Sequence, residues 1–153
     1  MNAYTLLKFL HVLSVVFWIG GATALGFTTW RIAKERDRVA LSALLRHGLA
    51  YGQRVIGPSA GVVVLTGLAM VGIGHIGFGT FWVWFGYSAI LVQAILGGVV
   101  MQKRVAEVRQ LATTPSGDDA ALVAAARRLW NIQIVYLVLF AIIIAAMVIK
   151  PTL

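Results

Sequence analysis

The sequence contains no cysteine, so it forms no disulfide, no thiolate metal site and no thioether bond to haem. It is also poor in charge: 12% of its 153 residues are charged, whereas 60% are hydrophobic. A soluble domain of this length carries many more ionic groups on its surface. The composition therefore places the chain in a lipid bilayer.

Charged residues are absent from three long stretches, residues 9–30, 55–102 and 129–149. About 20 apolar residues cross a hydrocarbon core about 30 Å thick, so the outer stretches each fit one helix and the middle stretch fits two. Four glycines within 72–79 break the middle stretch, and the aromatic residues of 81–85 are typical of a membrane interface. The sequence predicts an all-α membrane protein, a four-transmembrane-helix bundle forming a single integral membrane domain over residues 1–153, with spans near 5–30, 54–74, 81–102 and 129–149.

The basic residues are distributed unevenly between the two ends of these spans. Six lie between spans one and two and five lie between spans three and four, whereas only Lys8 and Lys150 remain for the other side. Short loops rich in lysine and arginine stay in the cytoplasm, so we predict two basic cytoplasmic loops and both termini outside. The charge is better explained by the bilayer and its anionic inner-leaflet lipids than by nucleic acid, which we do not expect as a partner.

Both basic loops carry helix signals. Hydrophobic residues of 39–49 recur at helical spacing, which predicts an amphipathic extension of span two. Pro58 lies just inside that span and removes a backbone hydrogen bond, so we expect it to kink or restart the helix. In the second loop, Asp118 or Asp119 is expected to cap a helix that continues into span four.

Pairs of small residues four positions apart allow transmembrane helices to approach closely. The chain has four such pairs, which we interpret as packing surfaces: Gly20/Ala24, Ala22/Gly26, Gly57/Gly61 and Ala94/Gly98. The polar residues Gln93, Asn131 and Gln133 are interpreted as hydrogen bonds between helices. No acidic residue lies in any predicted span. This absence argues against a transporter that couples to protons or cations.

His11 is an ionisable side chain within span one, and it shares an inward-facing helical stripe with Lys8, Ser14 and Trp18. Burying such a side chain in hydrocarbon costs free energy, which makes it a candidate functional group. Two interpretations stay open: a neutral histidine bonded to a neighbouring hydroxyl or carbonyl, or a ligand of haem, a metal or a substrate. His75, in the glycine-rich turn, is either a solvated residue or a second ligand.

Residues 6–21 (LLKFLHVLSVVFWIGG), together with Pro58, the Thr66-Gly67 pair and residues 147–151, resemble a bacterial family of predicted four-helix integral membrane proteins of unassigned function. This resemblance implies a multi-pass protein of the bacterial plasma membrane. The first span is also similar to first helices of copper-resistance D proteins and of membrane-bound, haem-containing protoporphyrinogen oxidases. In those oxidases the matching histidine is implicated in haem binding, so the resemblance implies haem binding by His11.

Two hypotheses follow for the function. The first is a haem-b-binding or redox-associated membrane protein, with His11 as axial metal ligand, His75 as candidate second ligand, and Lys8, Ser14 and Trp18 in the pocket. The alternative is a non-enzymatic binding or transport component, or a structural subunit, in which His11 only packs. The sequence leaves catalytic residues, enzymatic activity and assembly into a homo-oligomer open.

Overall fold

A computed structural model describes residues 2–77, 79–114 and 117–150, and the chain is helical with no strand over these ranges. Helix α1 is Ala3–Lys34. A second continuous helix, Arg38–Ile73, contains α2 (Arg38–Tyr51), a π turn (Gly52–Ile56) and α3 (Gly57–Ile73). A third, Phe81–Thr113, contains α4 (Phe81–Ile95), a second π turn (Leu96–Met101) and α5 (Gln102–Thr113), and α6 is Asp119–Ile149. All four are long and apolar enough to cross a membrane, so the predicted all-α four-span fold is confirmed.

Side-chain caps start three of these helices. The Asn2 carboxamide oxygen accepts from the Thr5 amide at 2.8 Å, and Asp37 accepts from the Ala40 amide at 2.9 Å. Asp118 accepts from the amide of Ala120 at 2.8 Å. Each cap satisfies a backbone donor that has no partner in the first helical turn. The predicted cap at Asp118 and the continuous helix into span four are confirmed.

The amphipathic extension of span two is also confirmed, because α2 runs without interruption into the transmembrane part of that helix. Pro58 restarts the α-helical pattern without interrupting the rod. It has no N–H to donate to Arg54, and the preceding π turn, in which the Gly57 amide donates to the Gly52 carbonyl, absorbs the irregularity.

The helices are arranged in the spatial order α3, α1, α6, α4. Helix α1 packs along both α3 and α6, and α6 also packs against α4, whereas α3 and α4 make no extensive contact over the described residues. We call the end that carries residues 31–54, 102–114 and 117–128 the basic end, and the end that carries Asn2, the turn residues 74–77 and 79–80, and Lys150 the terminal end. The bundle is therefore open on one side, between α3 and α4.

The basic end has its own hydrophobic core, formed where α2 and α5 pack against each other and against α1 and α6. Arg38 ties the second loop to the first: its guanidinium donates to Asp119 at 2.7 and 3.0 Å and to the carbonyls of Leu111 and Gly117 at 2.7 Å each. Asp119, an alternative candidate for the cap, pairs with this arginine instead. The two basic loops therefore form one connected layer.

In the membrane-spanning part, aromatic and small residues set the helix spacing. The Trp18 and Phe140 rings meet edge to face with centroids 4.9 Å apart. A Cβ added at Gly26 would lie 3.3 Å from Gln133, which confirms close packing of α1 on α6 at the Ala22/Gly26 pair. The packing interpretation is wrong for Gly20, Gly61 and Gly98, because nothing lies within 4 Å of a Cβ at any of these positions.

Candidate functional site

The open side of the bundle widens into a cavity of about 640 Å³, a volume typical of small-molecule sites. All four spans contribute to its wall. On the α3 and α4 sides the wall is made largely of small residues: Gly57, Ala60, Gly61, Ala94, Gly97 and Gly98. Their missing side-chain volume is what leaves the space between the two helices.

Both π turns belong to the cavity wall. The first contributes Gly52, Gln53 and Ile56, and the second contributes Gly97, Gly98 and Met101. A π turn is rare and occurs frequently at functional sites, because its extra residue widens the helix and redirects neighbouring side chains. Two such turns on facing helices, each close to the basic end, shape the same space.

The polar side chains of the wall are mainly glutamine amides. Four of the five glutamines of the chain line the cavity: Gln53, Gln93, Gln102 and Gln133. An amide offers both a donor and an acceptor without charge. The cavity is therefore suited to a ligand that carries neutral hydrogen-bonding groups on an apolar body.

Gln93 has the most constrained environment of these amides, with only 1% of its surface exposed. Its Nε2 donates to the Tyr136 carbonyl at 3.3 Å, whereas its Oε1 has no hydrogen-bond partner among the described residues. Leaving a buried acceptor unpaired costs about 1–3 kcal/mol. This oxygen is also shielded from the cavity, so a hydroxyl or N–H group of a ligand would reach it only after the Gln93 side chain turns toward the cavity.

The cavity is elongated. Along the α4–α5 rod its wall extends from Ile90 to Val105, which is about 22 Å at 1.5 Å per residue. This length suits an elongated ligand.

His11 lies nearer the terminal end and does not line this cavity. Its Nδ1 is 3.0 Å from the Thr66 hydroxyl, which itself donates to the Val62 carbonyl at 2.6 Å. Since the hydroxyl proton is committed to Val62, Nδ1 is the donor and Nε2 carries the lone pair. His11 is therefore bonded to a neighbouring hydroxyl, as the packing interpretation expects.

Tyr87 and Gly67 complete the surroundings of His11. A Cβ at Gly67 would lie 3.6 Å from His11 Cε1 and 3.7 Å from the Tyr87 hydroxyl. The Tyr87 hydroxyl is buried and has no hydrogen-bond partner in the described part of the chain. The position of Tyr87 beside His11 was not predicted from the sequence, because nothing in the local pattern of span three distinguishes Tyr87 from an interfacial aromatic residue.

The two candidate haem ligands have different environments. His75 lies exposed in the turn after α3, whereas His11 is half-buried within α1 beside Thr66. Of the remaining pocket candidates, Trp18 lines the cavity, while Lys8 is exposed and Ser14 is half-buried outside the wall. Within the described ranges, no three histidine, aspartate or glutamate side chains are grouped to hold a metal.

The residues of the cavity wall do not fit a haem held by histidine. Over the described residues the wall contains no histidine, and its strongest donors are glutamine amides, the Tyr136 hydroxyl and the Met101 thioether. A haem bound by His11 would therefore lie outside this cavity.

Of the four cavity glutamines, the sequence singled out only Gln93 and Gln133, and only as contacts between helices. That role is confirmed for Gln93 and for Gln133, whose Nε2 lies 3.5 Å from the Thr23 hydroxyl. Asn131 is exposed near the basic end. The sequence does show amides concentrated in otherwise apolar spans. It does not show that they share one site, because the four cavity glutamines lie on three separate helical rods that only the fold brings together.

Comparison with known proteins identifies the family. No curated protein and no solved structure matches the chain, so the similarity to copper-resistance D proteins and haem-containing oxidases has no support. The family model described as a predicted integral membrane protein, DUF2269, matches residues 5–151, a range that includes all four spans. The chain therefore belongs to the DUF2269 family of predicted integral membrane proteins.

Proposed function

We propose that this protein is a non-enzymatic binding component that accepts an elongated amphiphile from the bilayer and holds it in the cavity between α3 and α4. The observation that supports this most is the separation of these two helices. Both carry small residues that would permit close packing, yet they stand apart around 640 Å³ of space. Natural interiors are close-packed, and voids of this size are uncommon without a ligand.

Entry of the amphiphile requires no passage through water. The gap between α3 and α4 faces sideways, because these helices are the two ends of the spatial order α3, α1, α6, α4. Gly61 and Gly98 border the gap with no atom within 4 Å of a Cβ position. A hydrocarbon chain can slide from the lipid phase into the cavity along this side.

Affinity in this setting comes from polar contacts and shape. Transfer of a chain from lipid into an apolar cavity gains little, since lipid tails are as apolar as the cavity wall. When the Gln93 side chain turns toward the cavity, a hydrogen bond to its unpaired Oε1 forms in a low-dielectric environment and removes the cost of a buried unsatisfied group. The glutamines therefore distinguish the bound amphiphile from bulk lipid.

Native mass spectrometry of protein extracted in mild detergent tests this proposal. The wild-type protein should retain a co-purifying amphiphile as a discrete mass increment. Gly61→Leu places a side chain in the cavity and should remove the increment. Gly20→Leu makes the same substitution on the exposed side of α1, where nothing lies within 4 Å, and should retain it; equal retention by all three proteins would refute cavity binding.

Haem binding through His11 is a second candidate, favoured by one observation. The bond of Nδ1 to Thr66 leaves the Nε2 lone pair of His11 available, and a hydrogen-bond partner on one ring nitrogen orients a histidine so that the other can bind a metal. The test is the absorbance spectrum after incubation with haem. A Soret band that is lost in His11→Ala and kept in His47→Ala, a variant at the exposed face of α2, supports ligation; no band in the wild type rejects it.

A further inference from the structure

We infer that the bound amphiphile is an anionic phospholipid, whose phosphate is held by Arg54 and Lys103 while one of its chains occupies the cavity. This inference rests on the proposed function, because it assumes that the cavity takes an amphiphile. The inference specifies the charge of the lipid headgroup, the residues that bind the headgroup and the end of the bundle at which the headgroup lies.

The cavity reaches the membrane surface at the basic end. Gln53 and Gln102 line it there, and each is followed directly in the chain by a cation, Arg54 and Lys103 respectively. These two cations also bound the uncharged stretch 55–102, so they mark the level at which two spans leave the hydrocarbon core. Phospholipid phosphates lie at the same level, and both side chains are exposed and long enough to meet them.

No carboxylate compensates these two cations in the described part of the chain. All five acidic side chains are engaged elsewhere: Glu35 with Arg31, Asp37 and Asp118 as helix caps, Glu107 with Arg104 and Arg128, and Asp119 with Arg38. The entrance to the cavity therefore keeps a positive charge that favours an anion.

The headgroup chemistry follows from the types of the two side chains. The guanidinium of Arg54 can donate two parallel hydrogen bonds to a phosphate, and the ammonium of Lys103 adds a compact positive charge. A zwitterionic lipid carries its own cation beside the phosphate and gains less from the same pair. Each basic side chain near the surface contributes about 1 kcal/mol to binding of an anionic lipid, so the pair should contribute about 2 kcal/mol, or about 30-fold.

The dimensions of the cavity determine how much of the lipid it holds. Its wall is about 22 Å long, which exceeds one leaflet of a hydrocarbon core about 30 Å thick, so an acyl chain can lie along it. The second chain of the phospholipid stays in the bilayer on the open side between α3 and α4. This arrangement holds the lipid by its phosphate and one chain and keeps it continuous with the membrane.

The test compares lipid binding in titrations followed by native mass spectrometry, with phosphatidylglycerol and phosphatidylcholine of identical chains as probes. We expect Arg54→Gln combined with Lys103→Gln to weaken phosphatidylglycerol binding about 30-fold and to change phosphatidylcholine binding little. The matched control is Arg109→Gln combined with Arg127→Gln, which removes the same charge from exposed positions outside the cavity wall. This control pair should change phosphatidylglycerol binding no more than about twofold.

Several outcomes would overturn the inference, and they separate it from the proposed function. Equal loss in both charge variants, or equal wild-type affinity for the two lipids, rejects the anionic headgroup. If Gly61→Leu still removes a bound amphiphile in that case, the cavity proposal stands alone. A dimer that covers the gap between α3 and α4 with protein rejects both.

A measurement on the wild-type protein applies if the double variant fails to fold. Raising sodium chloride from low to high concentration should weaken binding of phosphatidylglycerol at the exposed cations, because salt screens surface charges. Phosphatidylcholine binding should not respond. Salt-independent binding of phosphatidylglycerol would contradict the role of Arg54 and Lys103.

Discussion

Gln93 lies where α4, α6 and the cavity meet, and its two amide atoms have different environments. The nitrogen donates to the Tyr136 carbonyl, and the oxygen has no partner among the described residues. The first contact holds α4 on α6, while the second group is buried and reaches a ligand only when the side chain turns toward the cavity. A single buried side chain therefore connects helix packing with binding.

Gln93→Leu separates these two roles. The substitution loses one hydrogen bond and also removes a buried unpaired acceptor, two effects of about 1 kcal/mol with opposite sign. We expect the melting temperature in detergent to change by only a few degrees, while retention of the amphiphile falls. Gln110→Leu, on the exposed surface of α5, is the matched control and should retain it. Equal retention by the two variants would show that the Gln93 oxygen does not contact the ligand.

His11 is a residue whose position, but not whose hydrogen-bond partner, could be predicted from residue type and spacing. Its depth in span one and its inward direction were predictable, because Lys8 and Trp18 fix the helical register around it. Its partner Thr66 was not, since the two residues are 55 positions apart and meet only after α1 and α3 pack.

The elements were largely predictable, because hydrophobic length and charge boundaries determine where a helix crosses a bilayer. The two π turns were not predicted: Pro58 signalled an irregularity in span two, but the sequence of the second π turn, 96–101, carries no comparable signal. The packing interpretation succeeded at Gly26 and failed at Gly61. A pair of small residues permits two helices to approach closely. Whether they do so depends on how the other helices of the bundle pack.

Leucine substitutions at these two glycines should therefore have opposite outcomes for stability. Gly26→Leu forces a side chain into Gln133 and Trp130, which lie 3.3 and 3.7 Å from a Cβ, and should cost about 1–3 kcal/mol by overpacking. Gly61→Leu enters open space and should leave the free energy of unfolding unchanged or increase it. Thermal unfolding in detergent measures both. Comparable destabilisation by the two variants would mean that α3 packs closely against another helix at Gly61.

Arg38 connects the two basic loops, and its removal tests how firmly they are joined. Arg38→Ala loses the hydrogen bonds to Asp119 and to the Leu111 and Gly117 carbonyls. We expect destabilisation of about 2 kcal/mol, since bonds to a charged group are worth roughly 1.5–3 kcal/mol and partial exposure screens them. Arg46→Ala, at an exposed position of α2, should cost less than 0.5 kcal/mol, about the limit for ordinary surface substitutions. Similar melting temperatures for the two variants would exclude Arg38 as the link.

At the scale of the whole molecule, the open order α3, α1, α6, α4 was beyond sequence analysis, because every span has a similar composition and no local signal states which two stay apart. The uneven distribution of basic residues, by contrast, is evident from the sequence and predicts the orientation of the protein in the membrane. Placing the basic end in the cytoplasm puts Arg54 and Lys103 at the anionic leaflet. The orientation and the lipid inference therefore depend on each other.

Cysteine labelling tests that orientation without background, because the natural chain has no cysteine. Thr114→Cys lies exposed in the second basic loop and Gly77→Cys lies exposed in the turn at the terminal end. A thiol reagent that cannot cross membranes should label Gly77→Cys in intact cells and Thr114→Cys only after the cells are opened. Labelling of Thr114→Cys in intact cells would reverse the predicted topology.

The most direct test of amphiphile binding is photochemical crosslinking in the membrane, with a phosphatidylglycerol that carries a diazirine in one chain. After irradiation and digestion, mass spectrometry locates the modified residues. Binding in the cavity predicts modification concentrated on inward positions of the wall, such as Gln93, Gly97 and Ile56, and its loss in Gly61→Leu but not in Gly20→Leu. Modification spread over outward residues such as Val16 and Val138, unchanged by Gly61→Leu, would contradict the account.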